Sequence, residues 1–182
     1  MSDFQAAVST LHQGGVIAYP TESCFGIGCD PNNATAIERV ISIKARSASK
    51  GLIIIAATIE QAMEYIDLEQ SKFKDDILAS WPGPNTWLLP AKAYVQPLLK
   101  GDFPLLAVRV TKHPVANELC RQFGGAIVST SANLAGEDAL KTTAEVQRVF
   151  SDKVDEIVDD VVGDDAKPST IRDGLSGEIL RR

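Results

Sequence analysis

Gly51-Leu-Ile-Ile-Ile-Ala56 is apolar from Leu52 onward and shows no alternation of polar and apolar residues. A strand with one wet face alternates; a strand that is apolar at every position is covered on both faces. Six residues are too few for a buried helix, and three of them are β-branched, so this stretch predicts the central strand of an α/β sheet. A polar loop, Arg46-Ser-Ala-Ser-Lys50, leads into it. Ahead of that loop, Thr35-Ala-Ile-Glu38 has the form of a capping box, and Ile37, Val40 and Ile41 share one face of the helix that follows. Continuing that stripe at helical spacing reaches Lys44, which predicts a lysine turned to the interior or to the rim of a cleft, its stem buried.

On the C-terminal side, helices are predicted near 59–66 and 70–80, a rigid turn at Trp81-Pro-Gly-Pro84, and strands over 85–90 and 105–111. On the N-terminal side, Phe4, Ala7, Val8 and Leu11 give a helix over 3–13, closed by Gly14-Gly15. A buried strand Val16-Ile17-Ala18-Tyr19 stops at Pro20, and 25–29 is a short glycine-rich strand. His113-Pro114 opens a helix that runs to Phe123 and closes at Gly124-Gly125. Ala126-Ile-Val128 is a strand running into Ser129-Thr-Ser-Ala-Asn133. Thr142 and Glu145 form a second capping box, and short strands lie beyond Val154. Helices and strands mix without strict alternation, so the expected fold is one α/β domain with a twisted mixed sheet.

The chain has 182 residues and a formal charge of −6, which argues against a broad phosphate-backbone clamp but not against a local basic pocket. Cys24, Cys29 and Cys120 are odd in number and lack framework spacing, which points to a reduced, cytoplasmic setting and away from a zinc site. The first residues carry no signal-peptide pattern, and the longest apolar run, 52–57, falls far short of a membrane span.

No P-loop, HExxH or GxSxG is present, and Gly26-Ile-Gly28 lacks the third glycine of a dinucleotide fingerprint. What stands out is polar chemistry at strand ends: Thr21 and Glu22, Lys44, Arg46 and Lys50, Arg109 inside an apolar strand, Ser129, Ser131 and Asn133, then Ser169 and Arg181. Singly, each fits a cap, a turn or a solvated surface. Together they predict an anion site where strands end, because converging cations in an acidic protein need an anion to be stable.

Tyr19-Pro-Thr-Glu22, Phe25-Gly-x-Gly-Cys-Asp30, Lys44-Ala-Arg46, Lys50-Gly-Leu52, Trp81-Pro-Gly-Pro84, Leu106-Ala-Val-Arg109-Val110, His113-Pro114, Ser129-Thr-Ser-Ala-Asn133 and Pro168-Ser-Thr170 occur in that order. This series resembles the YrdC family in its short bacterial branch. The resemblance covers the whole chain, 1–182. It implies a single YrdC-like domain with a twisted sheet, parallel and antiparallel, and flanking helices around a large basic cavity. It implies an ATP-dependent nucleotidyltransferase that converts L-threonine, bicarbonate (or CO2) and ATP to threonylcarbamoyl-AMP with release of diphosphate. That product serves threonylcarbamoyl-adenosine formation next to the anticodon of tRNA, and downstream proteins transfer the group. By the same resemblance, Thr21, Arg109, Ser129 and Ser169 are threonine contacts. Lys44, Arg46 and Lys50 are the catalytic cations on the nucleotide phosphates, and Ser131, Asn133 and Arg181 are further nucleotide contacts, with Arg182 adjacent to the last. Mg²⁺ is expected with ATP, and no metal is held by the protein alone. The role of Glu22 is left open; help in placing the metal or the amine is one reading and is not assigned to it. Longer relatives carry an asparagine and a later histidine where Lys50 and Ile55 stand here. Two other readings remain: a non-catalytic RNA-binding or ribosome-maturation protein with weak RNA contact, and a paralogue that uses another carbamoyl donor.

Overall fold

The structure, a computed structural model, describes residues 4–134, 136–163 and 168–181. Its centre is one nine-stranded sheet. In chain order the strands are β1 (Ile17–Pro20), β2 (Phe25–Gly28), β3 (Ile53–Ala56), β4 (Asn85–Pro90), β5 (Leu105–Val110), β6 (Ile127–Ser131), β7 (Glu156–Ile157), β8 (Thr170–Asp173) and β9 (Ile179–Arg181). In space they run β7-β1-β2-β6-β3-β5-β4-β8-β9. The β1–β7, β3–β5 and β4–β8 pairs are parallel and the others antiparallel, so the sheet is mixed, as the irregular order of helices and strands predicts.

β3 is the central strand expected from 51–56, with two strands between it and the edge pair on either side. Ile54 and Ala56 enter one apolar cluster and Ile55 the other. Each fully buried isoleucine contributes roughly 2–3 kcal/mol of transfer free energy, which explains why no polar residue interrupts the run. On one face, α2 (Ala34–Ile43), α4 (Lys74–Ser80) and α7 (Thr143–Phe150) deliver Ile37, Val40, Ile77, Val146 and Phe150. On the other, α1 (Gln5–His12) and α6 (Pro114–Phe123) cover only part of the sheet, through Ala7, Leu11, Leu119 and Cys120 over Ile17, Ile55 and Ile127.

Local chemistry sets the helix ends. α6 begins with Pro114 at its first position, capped by His113, and ends at Gly124 in the left-handed region (φ 83°). Thr142 and Glu145 make the reciprocal capping box expected for α7. The box read at Thr35 and Glu38 does not form. Asn33 caps α2 instead, its side chain accepting from the Ala36 amide at 3.0 Å, because asparagine at that position already satisfies the orphan donor. The helix expected near 59–66 shortens to α3 (Ile59–Met63), capped by Thr58. The strand expected at 126–128 extends to Ser131, which carries the polar run into the sheet itself.

The two glycines of β2 have a packing reason. A Cβ on Gly28 would lie 2.0 Å from the Val128 carbonyl oxygen and 3.0 Å from the Tyr19 ring, and one on Gly26 would lie 3.3 Å from Ser129 Oγ. Glycine there lets the fully buried Tyr19 cross the strand and donate its hydroxyl hydrogen bond to Val128 O at 3.0 Å. Gly28→Ala is therefore expected to cost about 3 kcal/mol of unfolding free energy by overpacking against backbone; urea denaturation followed by circular dichroism measures it, and a midpoint equal to wild type would refute the packing role.

Candidate functional site

The side of the sheet that α1 and α6 leave uncovered is the floor of a cavity of about 550 Å³. Register builds the floor. Ile53 of β3 stands opposite Ala107 of β5 and Ser129 of β6, and Ala107 stands opposite Leu88 of β4. One step along, Ile55 is opposite Arg109 and Ile127. All of these side chains project to the same face. The site thus lies on a sheet face, where strand-end logic had placed it beyond the strand termini. The reason is that β6 stays paired through Ser131 and β5 through Arg109, so the polar residues sit within strands.

Arg46, Lys50, Lys100, Arg109 and Arg181 line the cavity, against Glu137 and Asp138. A chain of formal charge −6 thus concentrates cations in one concave place, where a low-dielectric wall strengthens their field. Apolar lining from Leu52, Ile53, Leu88, Leu105 and Phe103 completes it, Phe103 being largely exposed at 55%. Burial pushes the Arg46 guanidinium down from its ordinary value, and burial together with the charge of Arg109 does the same at Arg181.

Among the residues predicted from sequence, Thr21, Arg46, Lys50, Arg109, Ser129, Ser131, Asn133, Ser169 and Arg181 all line this cavity. Thr21 Oγ1 donates to the Cys24 carbonyl at 2.7 Å, and Ser169 Oγ pairs with Thr86 Oγ1 at 2.8 Å. Arg181 donates to the Ser169 carbonyl at 3.0 Å, tying the end of β9 to the site. Arg182 lies outside the described residues.

Lys44 is placed differently. It ends α2, is 4% exposed, and does not line the cavity. Its ammonium donates to the carbonyls of Ser131 and Asn133 and, at 2.7 Å, to Asn133 Oδ1, which uses all three of its hydrogens. Burial, reinforced by the charge of Arg46, pushes its pKa down to about 8. Ala45 follows with φ 46°, the one positive φ outside glycine among the described residues. That strained residue separates the two cations, Lys44 turned inward and Arg46 onto the cavity wall, where its guanidinium donates to the Lys50 carbonyl at 3.1 Å. Gly51 (φ 60°) and Gly101 (φ 62°) then press the 46–51 loop against α5 (Pro97–Lys100), where a Cβ on either would meet backbone at 2.6 Å or less.

Glu22 is also absent from the cavity wall. Its carboxylate faces the Arg109 guanidinium at 3.2 Å and accepts from Thr111 Oγ1 at 2.6 Å. No sequence signal marks Lys100, Phe103, Glu137 or Asp138, because Lys100 rides on a four-residue helix with no periodic pattern and the two acids lie in an irregular loop. Among the described residues no group of three or more His, Cys, Asp or Glu side chains gathers into a metal site, and no helix is long and apolar enough to cross a membrane.

Residues 9–182 match the Sua5/YciO/YrdC family model, described as "Telomere recombination". A threonylcarbamoyl-AMP synthase from Nitrosococcus oceani is 49% identical over 175 residues, covering 96% of this chain and 95% of that one. Another from Photobacterium profundum is 46% identical over 184 residues and covers both chains fully. Among solved structures, P. abyssi Sua5 complexed with L-threonine superposes with a TM-score of 0.85 at 29% identity, over 92% of this chain and 49% of the Sua5 chain, so this chain spans about half of that longer protein. The fold, the order of its motifs and these matches agree: the chain belongs to the Sua5/YciO/YrdC family.

Proposed function

We propose that the protein is a threonylcarbamoyl-AMP synthase that supplies the activated group for threonylcarbamoyl-adenosine in tRNA. The observation that carries this reading is the single cavity in which a hydroxyl-lined, arginine-bearing end at Thr21, Ser129 and Arg109 adjoins a cationic end at Arg46, Lys50 and Lys100. L-Threonine has an amine, a hydroxyl and a carboxylate for the first end; ATP has phosphates for the second.

The chemistry joins two anions. The threonine amine bonds to the carbon of bicarbonate-derived CO2, giving an N-carboxylate and releasing a proton. An oxygen of that carboxylate then bonds to the α-phosphorus of ATP, the α–β bridging bond breaks, and diphosphate leaves with its electron pair. Cations fixed before the reaction offset the repulsion and stabilise charge developing on phosphate. Arg109 is assigned to the threonine carboxylate, which its planar fork matches, with Thr21, Ser129 and Ser169 around the rest of the amino acid. Arg46 and Lys50 are assigned to the phosphates, with Ser131, Asn133 and Arg181 on the nucleotide. Lys44 acts on the same phosphates at one remove, by clasping the Ser131–Asn133 turn from behind. Mg²⁺ bound with ATP would supply charge neutralisation on the phosphates; Glu137 and Asp138 are the wall carboxylates that would hold it, in keeping with a magnesium ion bound through one or two carboxylates plus phosphate. The water-labile carbamate favours a site that is concave and partly apolar.

Incubation with ATP, Mg²⁺, bicarbonate and L-threonine is expected to give diphosphate and threonylcarbamoyl-AMP in equal amounts by mass spectrometry; diphosphate release independent of threonine or of bicarbonate would reject the reaction. Arg46→Ala should lower kcat/KM for ATP by about 10²–10³-fold, as for loss of one preorganised contact to developing charge; thermal melting checks the fold, and near-normal turnover would remove Arg46 from the phosphates. The buried Lys44 predicts a pH effect. Its folded pKa, about 8, lies below its ordinary value, so the free enzyme loses this proton as pH rises through about 8 and the clasp loses a donor. In kcat/KM for ATP, wild type should fall above that pH, whereas Lys44→Arg, which keeps its charge, should not; the same alkaline limb in both would exclude Lys44 as its source.

A further inference from the structure

Glu22 is 5% exposed and stands behind Arg109, which is 8% exposed and lines the cavity. One carboxylate oxygen, Oε2, meets an Arg109 Nη at 3.2 Å. The other, Oε1, is fixed by the Thr111 hydroxyl at 2.6 Å. Thr111 is itself immobile: it is fully buried, its amide donates to Ala56 O at 3.0 Å, and its hydroxyl oxygen accepts from the His113 amide at 3.1 Å. The main chain around Glu22 is pinned as well. The Gly163 amide donates to Thr21 O at 2.9 Å, and a Cβ on Gly163 would lie 2.8 Å from Glu22 O, so the two backbones are in contact. The carboxylate is thus held through Oε1 by the Thr111 hydroxyl and through Oε2 by an ion pair with Arg109 in which Oε2 makes no hydrogen bond, and it does not line the cavity.

A chain of fixed groups therefore ends on one edge of a guanidinium. Arginine has five donors in a planar fork, and Glu22 occupies only one side of it. Arg109 Nε is buried with no hydrogen-bond partner, so donor capacity on this guanidinium is left over. A long side chain with a neutralising partner behind it and open donors in front is prepared to take a second carboxylate at a set angle. We propose that Glu22 is a positioning residue for amino-acid recognition: through the Thr111–Glu22–Arg109 chain it aims the free donors of Arg109 at the substrate carboxylate. The proposal rests on Arg109 being the carboxylate grip.

Calorimetric titration with L-threonine, L-threoninamide and ATP separates the possibilities. Threoninamide lacks the carboxylate, so the ratio of the two affinities reports the grip alone. Glu22→Gln keeps the shape and can still accept from Thr111, but it sets an amide against the guanidinium. It should weaken threonine binding by about tenfold, as for loss of a group that orients a binding residue, and shrink the threonine-to-threoninamide ratio by the same factor. ATP affinity should stay within about twofold, since the phosphate end is built from other elements. Made in an Arg109→Gln background, Glu22→Gln should add nothing further to the loss of threonine affinity. Unchanged or tighter threonine binding by Glu22→Gln, or its full effect without Arg109, would overturn the proposal. If Arg109→Gln alone left the ratio untouched, the carboxylate grip itself would be wrong. Should Glu22→Gln not fold, Thr111→Val reads the same chain from its far end: a fall in the ratio supports the proposal and an unchanged ratio rejects it.

Discussion

The register of β3 between β5 and β6 is the constraint on which the rest depends. Ile55 opposite Arg109 and Ile53 opposite Ser129 put an arginine and a serine on the same open face as the apolar floor. Strand side chains alternate with period two, so a slip of one residue in β5 would turn Arg109 into the cluster that holds Leu106, Val108 and Val110. A slip in β6 would exchange Ser129 for Val128. The apolar residues flanking each polar one thus hold the site in place: their burial fixes the register, and the register aims the chemistry.

Two clasps complete the cavity from outside the sheet. Lys44 joins the end of α2 to the turn after β6, two segments some ninety positions apart in the chain and brought together by one ammonium and three oxygens. Glu22 joins the turn after β1 to β5 through Arg109 and Thr111. Both charges are buried; the Lys44 ammonium is satisfied by three oxygens, whereas Glu22 is neutralised by Arg109 as an ion pair with its Oε2 making no hydrogen bond. The cations left facing the cavity, Arg46, Lys50, Lys100 and Arg181, lack acidic partners among the described residues, which leaves an anionic ligand to neutralise them.

Much of this was legible in the sequence for identifiable reasons. The Leu52–Ala56 run announced a strand covered on both faces, and the helical stripe through Ile37 and Val40 foretold that Lys44 would be buried. His113-Pro114 and Thr142 with Glu145 marked helix starts by chemistry that acts within a few residues. What escaped depends on distant pairing. Nothing near Lys44 in the chain shows that its partners are Ser131 and Asn133, and nothing near Glu22 shows that Arg109 and Thr111 will enclose it. The capping box at Thr35 was misplaced because Asn33, two residues earlier, offered a better acceptor for the first turn. Strand-end logic misplaced the cavity because β6 remains paired through its polar residues.

A crystal structure with L-threonine and a non-hydrolysable ATP analogue bound together tests the shared cavity most directly. The expected result is the threonine carboxylate on Arg109, beside Thr21 and Ser129, with the phosphates between Arg46, Lys50 and the turn that Lys44 clasps. Threonine bound away from Arg109, or phosphates outside the cavity, would contradict it.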